Sequence, residues 1–204
     1  YKIGKKFTFI NNLNSNIKKT SKNNLNIKIS KSGNTLETIS NSNVILGKNS
    51  KNLFITENSQ NYLMKLAYKL KSEIIEHRNY IGGRYSVLSE VGMVPAELMG
   101  LDIKKFKRLN HLINNKKFMR NIIQNVSAIL LFAKRKKNLS VILNYDESSN
   151  KLFEWYQQLV SESLGKKSKG IIPLISTMPK DNHSLMQYFL DGPKNNFYTF
   201  YSVK

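Results

Sequence analysis

Cysteine is absent from this chain of 204 residues, so it can form neither a disulfide framework nor a thiolate metal site. The same absence excludes catalysis by a cysteine nucleophile. Long apolar runs are also lacking. The most apolar run, residues 126–133, is far shorter than the ~20 residues that a membrane-spanning helix needs. We therefore expect no membrane partner, and a cytoplasmic enzyme is the class that fits best.

Acidic residues are scarce: 13 Asp and Glu stand against 33 Lys and Arg, which gives a formal net charge of +20 at pH 7. Such a charge is typical of nucleic-acid-binding proteins, but here the lysines are spread through every part of the chain rather than concentrated with aromatic residues. Asn, Lys and Ile are all abundant, as an AT-rich genome favours. We expect no nucleic-acid partner, although a positive field would also attract a phosphate ester.

The sequence contains enough apolar material for a globular core, since hydrophobic residues make up 40% of it. Predicted strands alternate with predicted helices. The strands are expected at 7–10, 25–29, 53–56, 139–145, 170–175 and 196–204, and the helices at 36–46, 62–67, 103–113, 118–133, 152–159 and from His183 onward. This alternation is typical of an α/β fold with parallel sheets. A change of domain is expected near residues 83–116.

The pattern at both ends of the chain indicates a segment taken from a longer sequence. Tyr1 is followed almost at once by the strand pattern at 7–10, without the pattern of a signal peptide. The last strand pattern reaches Lys204 with no tail after it.

The segment Ser30-Lys31-Ser32-Gly33-Asn34-Thr35 lies where a predicted strand gives way to a predicted helix. The free N–H groups of a helix N-terminus favour an anion, and serine and threonine hydroxyls add further donors. The segment is neither a P-loop nor a dinucleotide-binding turn, because the glycine patterns of both are missing. It is either a phosphate site or an ordinary hydroxyl-rich helix cap.

A second segment, Gly82-Gly83-Arg84-Tyr85-Ser86, sets an arginine directly after two glycines. Glycines permit unusual backbone angles, so this arrangement can direct a guanidinium at an anionic oxygen. A turn followed by a solvated arginine is the alternative.

Gln158 and Glu162 are four residues apart near the end of the predicted helix that Gly165 terminates, so their side chains share one face. A carboxylate there can accept a proton, or can simply be solvated. His183 falls where the next helix is expected to begin, and a histidine there can transfer protons near neutral pH. His77 and His111 are interpreted as structural. No spacing indicates a metal site.

Taken together, these segments resemble the glucose-6-phosphate isomerase family. The resemblance runs from about Asn24 to Lys204 and rests on four segments in the family's order: residues 30–38, 82–86, 161–166 and 183–187. It implies two sugar-isomerase (SIS) domains, each a three-layer α/β/α structure with a parallel sheet. Residues 1–82 would be the C-terminal part of the first, with the phosphate loop. Residues 83–115 would be the arginine turn and a helical connector, and 116–204 the incomplete second domain.

The resemblance also implies a role for each candidate residue in interconverting glucose 6-phosphate and fructose 6-phosphate, a step of glycolysis and gluconeogenesis. Glu162 would be the base, Arg84 would stabilise the enediolate, and His183, supplied by the partner of a homodimer, would assist ring opening. Gln158 and Gly83 would contact the sugar. The substrate phosphate would be held by Ser30, Lys31, Ser32, Thr35 and Thr38. No cofactor and no metal are expected.

The chain departs from the family at two places. A Gly/Ser-rich turn upstream of the phosphate loop and a lysine near the family's C-terminus have no counterpart here, and both would lie beyond the ends interpreted as cuts. The chain is therefore expected to be a fragment, and whether it is active by itself stays open. A non-catalytic SIS module that binds a sugar phosphate is the alternative, and acceptance of mannose 6-phosphate stays open.

Overall fold

The computed structural model describes residues 6–13, 24–46 and 50–203. The chain divides into two compact units, Tyr1–Arg108 and Leu109–Lys204. Each unit contains a three-stranded sheet in which all described strand pairs are parallel. The predicted α/β class with parallel sheets is confirmed.

The first unit opens with alternating strands and helices, and β2 is the central strand of its sheet. The elements are β1 (Leu25–Ile29), α1 (Leu36–Ile45), β2 (Lys51–Thr56), α2 (Tyr62–Lys69) and β3 (Glu73–Glu76). Phe54 of β2 forms the centre of the core with Leu63 and Ala67 of α2. Helix α2 begins at Asn61, whose side-chain Oδ1 accepts a hydrogen bond from Met64 N at 2.8 Å. This cap fixes the start of the helix over the sheet.

Beyond β3 the first unit continues in helical turns. They are a 3₁₀ helix (Gly83–Leu88), α3 (Glu90–Leu98) and α4 (Ile103–Lys107). Asp102 caps α4, since its Oδ1 accepts from Lys104 N at 3.0 Å.

In the second unit β4 is the central strand, flanked by β5 and β6. The elements are α5 (Lys116–Lys134), β4 (Leu139–Asn144), a 3₁₀ turn (Glu147–Ser149), α6 (Asn150–Leu164), β5 (Ile172–Thr177), α7 (Asn182–Asp191) and β6 (Asn196–Tyr201). Its core joins Val141 and Leu143 of β4 to Met178 and to Phe189 of α7. Helix α6 ends at Leu164, directly before Gly165, as predicted.

Two predicted elements are wrong. Residues 7–10 form no strand: Phe9 is 72% exposed, and an alternating pattern makes a strand only where a neighbouring strand accepts its hydrogen bonds. The single helix expected over 103–113 ends at Lys107 and is followed by a 3₁₀ helix at Arg108–Leu112. Asn110 and His111 are weak helix formers, which explains the tighter turn. Of the last predicted strand, residues 202–203 are irregular and Lys204 lies outside the described residues.

Among the described helices, none has both the length and the apolar character that a membrane span requires.

Candidate active site

Three loops follow the carboxyl ends of the parallel strands of the first unit, and backbone hydrogen bonds join them. Ser30 N donates to Ile55 O at 3.1 Å, Glu57 N donates to Lys31 O at 3.0 Å, and His77 N donates to Thr56 O at 2.8 Å. The carboxyl edge of a parallel sheet is where α/β proteins bind ligands. The predicted phosphate loop and the predicted arginine turn both start from this edge.

The phosphate loop, residues 30–35, leads directly into α1. Thr35 is the N-cap residue, but its side chain makes no capping bond to the helix; its hydroxyl instead pairs with Ser30 Oγ at 2.7 Å. The N–H groups of the first turn, including that of Thr38, therefore receive no side-chain cap. Ser32, which is exposed, accepts a bond from Asn34 N at 3.2 Å. An uncapped helix N-terminus with adjacent hydroxyls can bind an anion.

Gly33 has a steric reason to be glycine. Its φ is +65°, and a Cβ at this position would lie 2.0 Å from Asn61 Oδ1. Asn61 is itself fixed, because besides capping α2 it donates to Thr56 Oγ1 at 3.2 Å and to Ser59 Oγ at 3.1 Å. The shape of the phosphate loop is thus set by its contact with the cap of the next helix.

Lys31 extends from the phosphate loop to the loop after β3. Its ammonium donates to the carbonyls of Asn79 at 2.7 Å and Ile81 at 2.8 Å, and lies 3.2 Å from Glu57 Oε1. An ammonium has three N–H donors, and these three acceptors match that number. In this structure the side chain therefore links two loops.

Arg84 lies in the first turn of the 3₁₀ helix, half-exposed, with its guanidinium 4.8 Å from the centre of the Tyr85 ring. The turn is stabilised from within, since Ser86 Oγ donates to Gly83 O at 2.6 Å. A Cβ on Gly83 would meet no described atom within 4 Å. The surface beside Arg84 is therefore open to a ligand at this point.

An open cavity of about 570 Å³ adjoins these loops. Its walls include Glu57, Glu76 and His77. Carboxylates repel a phosphate, so within the first unit the anion site fits the start of α1 better than this cavity. Among the described residues no cluster of histidines and carboxylates could hold a metal ion.

In the second unit, Gln158 and Glu162 lie on the exposed face of α6 near its end. Gln158 Nε2 donates to Glu162 Oε1 at 2.9 Å, so the amide orients the carboxylate. His183 lies in the first turn of α7, which follows β5. The turn between β5 and α7 is stabilised by Asp181, whose Oδ2 accepts a hydrogen bond from Thr177 N at 2.7 Å.

Glu162 and His183 lie at opposite edges of the second sheet. Helix α6 runs back from the carboxyl end of β4, and Gln157 Nε2 reaches Pro173 O, near the amino end of β5, at 2.6 Å. Glu162 is more than one turn further along. His183 follows the other end of β5, and six strand residues span about 17 Å. This unit by itself does not bring the two side chains together.

Comparison with known proteins decides the family. The family model described as phosphoglucose isomerase matches residues 10–171. This chain belongs to the phosphoglucose isomerase family. The matched range includes every candidate site residue named above except His183.

Several curated family members resemble the chain over most of its length. It is 37% identical over 188 residues to the glucose-6-phosphate isomerase of Methanocaldococcus jannaschii, covering 86% of this chain and 46% of the relative. It is 32% identical over 187 residues to the same enzyme of Mycoplasmopsis pulmonis, covering 84% of this chain and 43% of the relative. The chain thus spans less than half the length of these phosphoglucose isomerase relatives.

A solved structure has a similar fold. The crystal structure of a hypothetical protein from Thermus thermophilus superimposes with a TM-score of 0.68 at 24% identity, covering 85% of this chain and 46% of that one. At that identity the likeness concerns the fold.

The structure also reveals a contact that sequence reasoning missed in this family member. His77, interpreted only as structural, is 1% exposed, and its Nδ1 contacts Oε1 of Glu90 at the start of α3. Burial raises the pKa of the Glu90 carboxyl, but hydrogen bonds from its own backbone, His77 and Arg78 outweigh burial and hold the pKa below its ordinary value. Thirteen residues separate the pair, a spacing that no local pattern indicates.

Proposed function

We propose that this chain forms part of a glucose-6-phosphate isomerase that interconverts glucose 6-phosphate and fructose 6-phosphate through an enediolate. Family membership carries the proposal, together with one observation of the site: Lys31 joins the uncapped anion site at α1 to the loop that bears Arg84. An isomerase of this kind needs a phosphate anchor and a cation held at a fixed distance from each other.

The phosphate is assigned to the start of α1. Ser30, Ser32, Thr35 and Thr38 would donate from their hydroxyls, alongside the N–H groups of the first helical turn. Lys31 would contribute through its backbone, because its ammonium is engaged by Asn79, Ile81 and Glu57. Phosphate binding far from the reacting carbons orients the substrate and makes a modest base effective.

The chemistry is assigned to Glu162 and Arg84. The Glu162 carboxylate would remove the proton from C2 of the open-chain aldose and return it to C1, while the proton of the C2 hydroxyl passes to the C1 oxygen, so that the sugar isomerises without net loss of atoms or electrons. Arg84 would stabilise the negative oxygen of the enediolate between these two steps. Gln158 would hold the carboxylate in position through the bond at 2.9 Å, and the open surface at Gly83 would admit the sugar. The reaction, written in this way, requires no cofactor.

His183 is assigned to ring opening in the site of a partner subunit. Glu162 and His183 lie beyond opposite ends of β5, whose six residues span about 17 Å. A site that uses both residues therefore fits a homodimer in which each subunit supplies one of them. Exposed Ile123, Val126 and Leu130 of α5 also offer apolar surface of the kind that oligomers bury.

The two units would correspond to parts of two SIS domains. Residues 1–82 would hold the phosphate loop, 83–115 the arginine turn and connector, and 116–204 the base and the histidine. Cytoplasmic location and a place in glycolysis and gluconeogenesis follow from the proposed activity.

The test is isomerase activity of the full-length gene product, with fructose 6-phosphate converted to glucose 6-phosphate and a coupled dehydrogenase as readout. Glu162→Gln should lower kcat by about 100-fold or more, because the amide cannot accept the proton. Binding of glucose 6-phosphate, measured by calorimetry, should persist. Glu154→Gln, the same change two turns earlier on α6 at a side chain paired with Lys151, is the matched control and should stay within about twofold of wild type.

Full activity of Glu162→Gln would show that Glu162 is not the base. Tight binding of glucose 6-phosphate by a wild-type protein that turns nothing over would favour the non-catalytic binding module instead.

A further inference from the structure

We propose that His77 and Glu90 form a latch that positions Arg84 for the isomerase reaction; this inference rests on the proposed function. The latch joins the two ends of residues 77–90, the arginine loop. His77 directly follows β3, and Glu90 is the first residue of α3. The contact therefore ties the helix that follows Arg84 to the strand that precedes it.

The latch is a directional contact between a buried histidine and a partly buried glutamate. A carboxylate only accepts hydrogen bonds, so Nδ1 of His77 is the donor and Oε1 of Glu90 the acceptor. His77 is 1% exposed, and its Nε2 has no partner among the described groups. Nδ1 is thus the nitrogen that fixes the imidazole ring, and a hydrogen bond to a carboxylate is among the stronger hydrogen bonds in proteins.

Helix α3 packs directly against the turn that carries Arg84, so the position of the helix determines the position of the turn. A Cβ at Gly92 of α3 would lie 1.9 Å from Val87 O, so the helix and the 3₁₀ helix of Arg84 are in direct backbone contact. Ser89, the N-cap of α3, donates from Oγ to Ser86 O at 2.7 Å. Because α3 and the turn form one packed body, whatever fixes α3 to the sheet also fixes Arg84.

Lys31 fixes the other side of the arginine loop. Its ammonium binds the carbonyls of Asn79 and Ile81, which lie between His77 and the turn. The loop is thus held to the phosphate loop by Lys31 and to β3 by the latch. Loss of the latch would leave the phosphate site intact while Arg84 shifts relative to it.

This geometry predicts an effect on turnover rather than on substrate binding. Arg84 acts on charge that develops at the enediolate, whereas the phosphate provides most of the ground-state anchoring. A cation misplaced by about 1 Å costs on the order of 10- to 100-fold in rate. His77 and Glu90 are positioning residues, since they act through Arg84.

The test uses the full-length gene product with variants that break or keep the latch. His77→Leu and Glu90→Met each remove it, and each should lower kcat by about tenfold with KM for fructose 6-phosphate changed by less than about twofold. The double variant should be no slower than the slower single one, because the His77–Glu90 contact is already absent in each single variant. His77→Asn sets an amide nitrogen near the place of Nδ1 and should recover most of the rate. Glu97→Met, at an exposed position of α3, is the control and should match wild type.

A second readout does not depend on activity. Amide hydrogen exchange across residues 82–88 should be at least about tenfold faster in His77→Leu and Glu90→Met than in wild type, with exchange at residues 30–35 unchanged. Unchanged exchange across 82–88 would overturn the latch, as would a loss of kcat in the double variant equal to the product of the single losses. If wild type shows no isomerase activity while exchange rises as described, the latch stands and the proposed function fails.

Discussion

At the residue scale, Lys28 is an unexpected side chain for the middle of β1. It is 5% exposed, its ammonium donates to Asn52 Oδ1 at 2.5 Å, and it lies 5.1 Å from the centre of the Phe54 ring. Burial lowers the pKa of Lys28 to about 8, because the charged form loses its hydration. The protonated side chain is therefore a cost to the fold near neutral pH.

Lys28→Met should stabilise the protein at pH 7 by about 1–3 kcal/mol. Below pH 8 both folded and unfolded forms carry the proton, so the full penalty is present. Between pH 8 and the ordinary lysine pKa the folded form loses its proton first, and wild-type stability rises with pH. The advantage of the variant should therefore shrink by pH 10 in denaturant unfolding. Lys51→Met, at an exposed lysine of β2, is the control. An advantage that stays constant from pH 7 to pH 10 would exclude the buried charge as its cause.

Gly33 and Gly83 allow one substitution to be compared at two positions. Gly33→Ala should lower the free energy of unfolding by about 2–4 kcal/mol, since alanine disfavours a φ of +65° and its Cβ would collide with Asn61. Gly83→Ala should change it by less than about 1 kcal/mol, because the added methyl group meets no described atom within 4 Å. Equal losses at the two positions in denaturant unfolding would contradict the account of the phosphate loop.

At the element scale, most predictions that rest on a local signal are confirmed, and the strand at 7–10 and the single helix over 103–113 are the exceptions. The strand, hydroxyl-rich turn and helix at β1 and α1 are adjacent in the chain, and so are Gln158, Glu162 and the stop at Gly165. The contact of Lys31 with the carbonyls of Asn79 and Ile81 spans 48 and 50 residues, and carbonyls carry no sequence signal. The His77–Glu90 pair is hidden for a similar reason, because its partners meet only once β3 and α3 are folded.

Helix α5 shows how a single cap defines an element. Asn115 accepts from Phe118 N at 3.0 Å and begins the helix three residues after the 3₁₀ helix ends. Asn115→Ala should cost about 1 kcal/mol of unfolding free energy, because it leaves that N–H without its acceptor. Asn114→Ala, the neighbouring and equally exposed change, should cost less than about 0.5 kcal/mol. If denaturant unfolding shows no difference between them, the cap does not stabilise the start of the helix.

At the scale of the whole molecule, the net charge says little about where the site lies, whereas the sheet topology says more. The net charge of +20 is spread over both units, so it neither identifies a partner nor locates the site. Topology is more specific. The proposed anion site and the turn of Arg84 follow the carboxyl edge of the first sheet, while Glu162 and His183 lie at opposite edges of the second. Under the proposed function, a catalytic set that includes both Glu162 and His183 would be complete only when two copies of the chain contribute to it.

Mixing two inactive proteins tests this proposal directly. Glu162→Gln and His183→Gln should each abolish most activity of the full-length gene product. When they are unfolded together and refolded, random pairing makes half of the dimers mixed. In a mixed dimer, one site combines the intact Glu162 of one subunit with His183 of the partner subunit, and the other site has neither. Activity should thus return to about a quarter of wild type.

Replacing either component by the double variant Glu162→Gln/His183→Gln removes the intact combination, so this control mixture should recover no activity. If the mixture of single variants also stays inactive, both residues act within one subunit, and the separation along β5 would have to be bridged by a fold rearrangement instead of by a second chain.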